Sequence, residues 1–324
     1  MDITNWKNKW NSFRDTPTAK LLFRVLKTLF LIGLISYILF QLNKIGIKEV
    51  LSNLPINPLF YLLFVLIYLS LPLWEILIYK IFWKFKFKDG IRPFITKKIF
   101  NAEVVGYSGE VYLYSWAKKK FNLPNNQLFG PIKDNAILSS VVSNITILIV
   151  LLIFTMTTDI DIFNALNLSR DKLFIIVGVL LSIVLILILF RKNVFSIKSN
   201  KLWKVVGLHE ARILCTYSLE LLQWSIVMPG IPFQVWFTLL AVKIVTSRLP
   251  FVPNQDLIFA GLGIELSRLL NVSSAGIAGL LLTNSALLKV TNLTLYSLFQ
   301  LKGKLKSQPK PEVDIDTTPT SESV

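Results

Sequence analysis

The lengths of its apolar runs constrain this chain more than any other feature. Four of them, at 28–42, 58–82, 136–156 and 172–190, read TLFLIGLISYILFQL, PLFYLLFVLIYLSLPLWEILIYKIF, AILSSVVSNITILIVLLIFTM and KLFIIVGVLLSIVLILILF. Roughly 20 apolar residues cross a bilayer core as a helix, and a spanning helix satisfies all its own backbone hydrogen bonds in lipid. Two later runs, at 211–230 and 276–301, have the length but carry more polar residues. Leu21 to Lys27 extends the first run, with Arg24 and Lys27 reaching back to the interface. Composition agrees: 53% of the 324 residues are hydrophobic, 17% are charged, and the mean hydropathy is +0.58. Soluble domains are rarely so apolar. The expectation is an all-α, polytopic integral membrane protein with six to eight transmembrane helices and two re-entrant or broken helical elements.

Charge orients such a chain, because short loops rich in Lys and Arg stay on the cytoplasmic side. The first 27 residues carry six Lys or Arg against two Asp. The segments KFKFKDGIRPFITKK (84–98) and RKNVFSIKSNKLWK (191–204) are strongly basic, TTDIDIFNALNLSRD (157–171) is net acidic, and the last helix ends in KGKLKSQPK. Both termini are therefore expected inside, in the cytoplasmic membrane. The formal net charge of +16 is spent on topology and on anionic headgroups, and it implies no nucleic-acid partner.

One stretch fits neither the apolar runs nor the basic loops. FNAEVVGYSGEVYLYSW, residues 100–116, holds Glu103, Gly106, Gly109 and Glu110 between apolar flanks. Lys97 and Lys98 precede it, Lys118 to Lys120 follow it, and all five favour the cytoplasm. Residues 95–117 are thus expected to enter from the cytoplasm and return, with the glycines allowing close helix approach and a turn. Intramembrane carboxylates are costly and mark functional sites by default. Residues 231–275 pose the same problem, since SRLPFVPNQDLIFAGLGIELSRLL supplies two prolines and then Gly261, Gly263, Glu265 and Arg268. Interrupted segments in two halves of a chain point to a transporter's binding site. Glu110 and Glu265 are expected to face one shared polar cavity, with Gly106, Gly109, Gly261 and Gly263 as close-approach positions and Arg268 or Lys243 as the headgroup contact. Glu103 joins them as a candidate substrate-binding carboxylate.

At these two stretches the chain resembles the flippase-like transmembrane domain of lysylphosphatidylglycerol synthases. That family carries N-x-x-x-P-G-x-x-G-E followed by Arg, matched by Asn101, Gly106, Gly109 and Glu110, with Val105 at the proline and Tyr112 to Tyr114 where the arginine stands. A second motif, P-x-S-x-G-G-x-G-x-R-E, is approximated by Pro250 or Pro253, Gly261, Gly263 and Glu265, with Ile264 at the arginine. An Arg and Asp pair between the motifs is echoed by Lys133 and Asp134. The resemblance implies a lipid flippase or lipid-linked carrier translocase, handling a phospholipid or polyisoprenoid-type lipid, with anionic or aminoacylated phospholipid among its partners.

Other chemistry lacks its residues. His209 and Cys215 are the only histidine and cysteine, so zinc sites, Cys-His nucleophiles and internal disulfides are not expected. No Walker loop or dinucleotide fingerprint occurs, so the protein is expected to be neither an ATPase nor an enzyme and to need no cofactor. Glu103 and Glu110 as an acid-base pair lack a nucleophile or metal. Glu75 follows Pro72 and either lines the cavity or pairs with Lys80, and Glu220 is expected to face inward, with Lys243 and Arg248 as its natural partners. Asn284, Ser285, Thr291 and Asn292 read as interhelical contacts. The expected organisation is an interfacial N-terminal segment at 1–24 marked by Trp6 and Trp10 with no cleavable signal, a transmembrane domain at 25–302, and a disordered cytoplasmic tail at 303–324 too poor in apolar residues to fold. The alternative function is a membrane-embedded scaffold for an envelope glycosyltransferase or lipid-modifying enzyme, docked through that tail.

Overall fold

A computed structural model describes residues 47–103, 106–157, 195–197, 199–247 and 255–307, with isolated positions at 178 and between 21 and 43. Nine helices lie in the described residues, and no strand: α1 Ile47–Ser52, α2 Pro58–Tyr79, α3 Phe87–Glu103, α4 Ser108–Lys120, α5 Asn125–Thr157, α6 Ser199–Val227, α7 Phe233–Thr246, α8 Gln255–Leu269 and α9 Ser274–Ser307. The all-helical class follows from the apolar runs. Among the described residues, three helices are long and apolar enough to cross a membrane, at Pro58–Tyr79, Asn125–Val150 and Ser274–Leu301. The run at 211–230 falls within α6 up to Val227, and α6 is not among the helices apolar enough to be counted with them. Most of the runs at 172–190 and 28–42, nearly all of the N-terminal segment, the tail beyond Ser307, Arg248, Pro250 and Pro253 lie outside the described residues, while residues 303–307, expected in the disordered tail, continue helix α9.

Local chemistry sets the ends of these helices. Asn57 caps α2, its side-chain oxygen accepting from the Leu59 N–H at 3.0 Å, and Pro58 occupies the first turn where its missing N–H costs nothing. At the other extreme, α8 stops at Asn271, which adopts φ 52°, while the Val272 N–H bonds the Ser267 carbonyl at 3.0 Å. That is the left-handed closure that ends many helices, taken by asparagine because its short polar side chain tolerates the conformation. Ser273 then caps α9 by accepting from the Gly276 N–H at 3.1 Å.

Antiparallel pairs build the bundle. The side-chain amide of Gln223 in α6 donates to the Phe60 carbonyl at 3.0 Å, and Ser70 meets Thr216 at 2.7 Å, so α2 and α6 run in opposite directions. Trp224 and Trp236 are fully buried, their centroids 6.2 Å apart, with Phe60, Leu239, Phe259 and Leu281 completing the main apolar core. A second core gathers Tyr79, Trp83, Phe94, Leu113 and Leu128 around the first hairpin.

Both sequence stretches singled out above fold as paired helices. α3 and α4 pack against each other across a break, their outer ends joined by the Lys120 to Asp89 ion pair at 2.9 Å. α7 and α8 pack in the same way. The glycines divide between two roles. A Cβ on Gly109 would collide with the Lys97 carbonyl, and one on Gly263 with Leu281, so these two are close-approach positions. Gly261 is buried as well. Gly106 is a correction: it is exposed, and an added Cβ would meet nothing within 4 Å. The unusual backbone of the break belongs to Tyr107, at φ 67° and ψ 1°, a conformation costing a side-chain-bearing residue about 1–2 kcal/mol.

Gly109→Ala is expected to lower stability by about 1–3 kcal/mol through overpacking, and Gly106→Ala to change it by less than about 0.5 kcal/mol. Thermal unfolding of the purified protein in detergent measures both; equal losses would show that the break, not the contact with Lys97, is what the glycines serve.

Candidate functional site

The break between α3 and α4 carries a buried charge cluster. Lys97 on α3 is 3% exposed, too deep for an ammonium group without partners. Its Nζ donates to Glu75 Oε1 on α2 and lies 3.2 Å from Glu110 Oε1 on α4. One turn further along α3, Asn101 accepts from the Gly109 N–H at 2.7 Å and donates to Glu110 Oε2 at 2.9 Å. Asn101 thereby satisfies an N–H in the first turn of α4 and fixes the carboxylate that follows it. The close contact at Gly109 allows this, because a side chain there would push α4 away from both Lys97 and Asn101.

Two cavities meet at this cluster. The polar one, of about 190 Å³, is lined by Glu75, Lys97, Lys98, Asn101, Glu110, Ser139, Ser143 and Arg212 with Leu71. The other is a mostly apolar groove of about 450 Å³ running along α5, with Phe129, Ile132, Ala136, Ile137 and Val141 in its wall, Tyr107 at its side, and Lys133, Ser140 and Asn144 as its polar members. Glu110 lines both.

The remaining carboxylates occupy separate positions. Glu103, the last residue of α3, accepts from Lys289 Nζ at 3.1 and 2.9 Å and from Asn292 at 2.8 Å, and Tyr68 donates to Asn292 at 2.8 Å. Glu103 and Glu110 therefore sit on either side of the break with different partners. Lys98 donates to the Tyr68 carbonyl and lies 3.8 Å from its ring centroid. Glu220 faces inward and pairs with Lys243 at 2.8 Å, as its flanking leucines require, and Trp224 and Phe259 lie within 6 Å of that ammonium. Lys243 is thus one half of an ion pair between α6 and α7 and lines neither cavity at Glu110.

Among the described residues, the two cavities that Glu110 lines do not include Glu265, contrary to the expected shared cavity. Glu265 lies on the exposed face of α8, ion-paired to Arg268 one turn away at 2.7 Å with the two side chains 50% and 36% exposed, and neither residue lines either cavity at Glu110. In α8 Gly261 and Gly263 are buried, whereas Glu265 and Arg268 are exposed. Lys97 and Lys98 are a second correction. Read as cytoplasmic flank charges, they instead point into the polar cavity. The spacing of Lys97 and Asn101, one helical turn apart, was the available signal: residues at i and i+4 share a face, and Asn101 already belonged to the motif.

Asp134 acts at a distance from this cluster. It is fully buried, and one carboxylate oxygen accepts from the Ser196 and Ile197 N–H groups at 2.7 and 3.0 Å, while Lys133 lies 3.3 Å from the other. It fixes the strand of chain leading into α6 against α5. Nearby, the only histidine, His209, is buried against Asn135 at 3.0 Å. Among the described residues no group of three or more His, Cys, Asp or Glu side chains could hold a metal ion.

Lys97→Met leaves two buried carboxylates without their counter-charge and is expected to cost about 3–5 kcal/mol. Glu103→Gln breaks a pair about a third exposed on each side and should cost about 1 kcal/mol or less. Denaturant unfolding in mixed micelles ranks the two, and a loss for Glu103→Gln equal to that for Lys97→Met would contradict the burial argument. No family model matches this chain, and no curated protein or solved structure does either.

Proposed function

We propose that this protein is a lipid flippase or lipid-linked carrier translocase of the cytoplasmic membrane, moving a phospholipid or polyisoprenoid-type lipid without an ATPase of its own. The observation that carries the reading is the placement of Glu110, in the wall of both a charged cavity and an apolar groove. An amphipathic molecule needs that pairing: a polar chamber for the headgroup beside an apolar track for the tail. Ionisable side chains are kept at membrane depth chiefly where they line such pathways. The motif resemblance at Asn101, Gly106, Gly109 and Glu110 points the same way, and three of the four residues meet in one hydrogen-bonded unit.

In this reading the chain crosses the membrane six to eight times with both termini cytoplasmic, and the two helix pairs, α3 with α4 and α7 with α8, are half-crossings that return to the side they entered. The joined outer ends of the first pair support it, since Asp89 and Lys120 are in contact. After Cys215→Ser, single cysteines at Lys88 and Lys119 are expected to react with an impermeant thiol reagent from the same face of right-side-out vesicles. Reaction from opposite faces would replace the half-crossing by a full one.

Proteoliposomes carrying a fluorescent phospholipid in both leaflets test the function. The wild-type protein is expected to expose the inner-leaflet probe to an external quencher, Glu110→Gln to slow this at least about tenfold while remaining monodisperse, and Glu265→Gln, altered only at an exposed pair, to change it less than about twofold. No acceleration by the wild-type protein over protein-free vesicles, with any phospholipid or polyprenyl phosphate probe, would end the proposal.

A further inference from the structure

Among the described residues, two that carry a side chain hold a positive φ, Asn271 and Tyr107. Asn271 closes the end of α8, a task that asparagine suits. Tyr107 has no such reason. It stands as the N-cap of α4, yet its side chain makes no capping hydrogen bond. A left-handed position favours glycine or asparagine, and an N-cap favours a short side chain bearing an oxygen. Tyrosine meets neither preference. A glycine does stand one position earlier, at Gly106, where an added Cβ would meet nothing within 4 Å. For folding alone, residue 107 is the better place for it.

The ring gives nothing back to the fold. Tyr107 is 64% exposed, and among the described residues its ring has no aromatic partner and its hydroxyl no hydrogen bond. Phe129, the other aromatic side chain of the apolar groove, does meet a ring, that of Tyr114. What Tyr107 borders is the groove itself, together with Glu110 one turn further on. Backbone strain that its own surroundings do not offset gathers at positions that clamp ligands. A tyrosine ring offers an apolar face and a single hydroxyl at its tip. That pairing matches the part of a lipid where the hydrocarbon chain ends and the first oxygen atoms begin. Such a junction belongs beside Glu110, where the apolar groove and the polar cavity meet.

We infer that Tyr107 is a substrate-binding residue of the groove, its ring lying on the first methylenes of the lipid chain and its hydroxyl donating to an oxygen of the linkage between chain and headgroup. The strain at position 107 is kept for contact with the lipid and not for the joining of α3 to α4. This assignment rests on the reading of the site as lipid-handling, and names the residue that holds the chain end.

Lipid movement in proteoliposomes and thermal unfolding in lipid-free maltoside micelles, both on the full-length protein, separate the two ideas. The probes are a fluorescent phosphatidylglycerol and a fluorescent polyprenyl phosphate. Tyr107→Gly relieves the backbone, so its melting temperature is expected to equal that of the wild type or to exceed it by up to about 3 °C. Its rate with the probe that the wild type moves is expected to fall at least about tenfold. Tyr107→Phe keeps the ring and the fold, and the loss of one hydrogen bond should slow movement about threefold or more. Movement of neither probe by the wild-type protein would overturn the lipid reading and this assignment with it. Movement by the wild type with Tyr107→Gly within about twofold of its rate would overturn the assignment alone. A lower melting temperature for Tyr107→Gly alongside the slower rate would also overturn it, because position 107 would then serve the helix pair. A Tyr107→Phe rate equal to that of the wild type would overturn the hydroxyl contact.

Discussion

An ammonium group held between two carboxylates is the constraint on which this architecture turns. Lys97 is buried, and isolated burial of its charge would be prohibitive. Its partners come from helices on either side in sequence, Glu75 from α2 and Glu110 from α4. Three helices are thus held to one point. The small volume at Gly109 is a condition of that arrangement, since the α3 backbone at Lys97 lies where a Cβ would stand. Asn101 completes it by bonding both the Gly109 N–H and the Glu110 carboxylate. Removing any one of these residues changes what the others can do, so they form a unit and not a set of separate sites.

The cavities inherit their character from that unit. Lys97 offsets one of the two carboxylate charges, and Lys98 and Arg212 line the wall beside it. Glu110 is shared with the groove along α5, whose wall is the apolar face of a helix long enough to span a membrane. Charged chamber and apolar track are adjacent because the break in the helix pair puts the first turn of α4 against the middle of α5. Around this region the bundle is made rigid by cores of large aromatic side chains, Trp83 and Phe94 on one side and Trp224 and Trp236 on the other.

Much of this was legible in the residues, and the failures are instructive. Run length was enough to read an all-helical chain, and the runs at 58–82, 136–156 and 276–301 overlap the three helices long and apolar enough to cross a membrane. The motif around Asn101 and Glu110 marked the polar site, and the inward turn and partner of Glu220 followed from its leucine neighbours. Lys97 and Lys98 were misread because a basic pair beside an apolar run usually reports topology. Only tertiary packing shows that their side chains turn into the bundle. Glu265 failed for the opposite reason. The local pattern of glycines and a carboxylate repeats the first motif, but in α8 Gly261 and Gly263 are buried while Glu265 and Arg268 pair on the exposed surface. Similar local patterns do not fix what a neighbouring helix covers.

The two ionic contacts flanking the break differ in how far apart their partners lie along the chain. Glu75 and Lys97 are 22 residues apart, so the triad can close as soon as α2 to α4 have left the ribosome. Glu103 and Lys289 are separated by 186, and their contact must wait for α9. During biosynthesis the early triad supplies counter-charge to these buried groups before most of the protein exists. The late contact then fastens the other side of the break to the final helix. A nascent chain stopped before α9 would already hold every residue that lines the polar cavity, but would lack the Lys289 contact of Glu103. The order of translation is in this way also an order of closure, in which the local charges settle first and the last helix fastens the far side of the break.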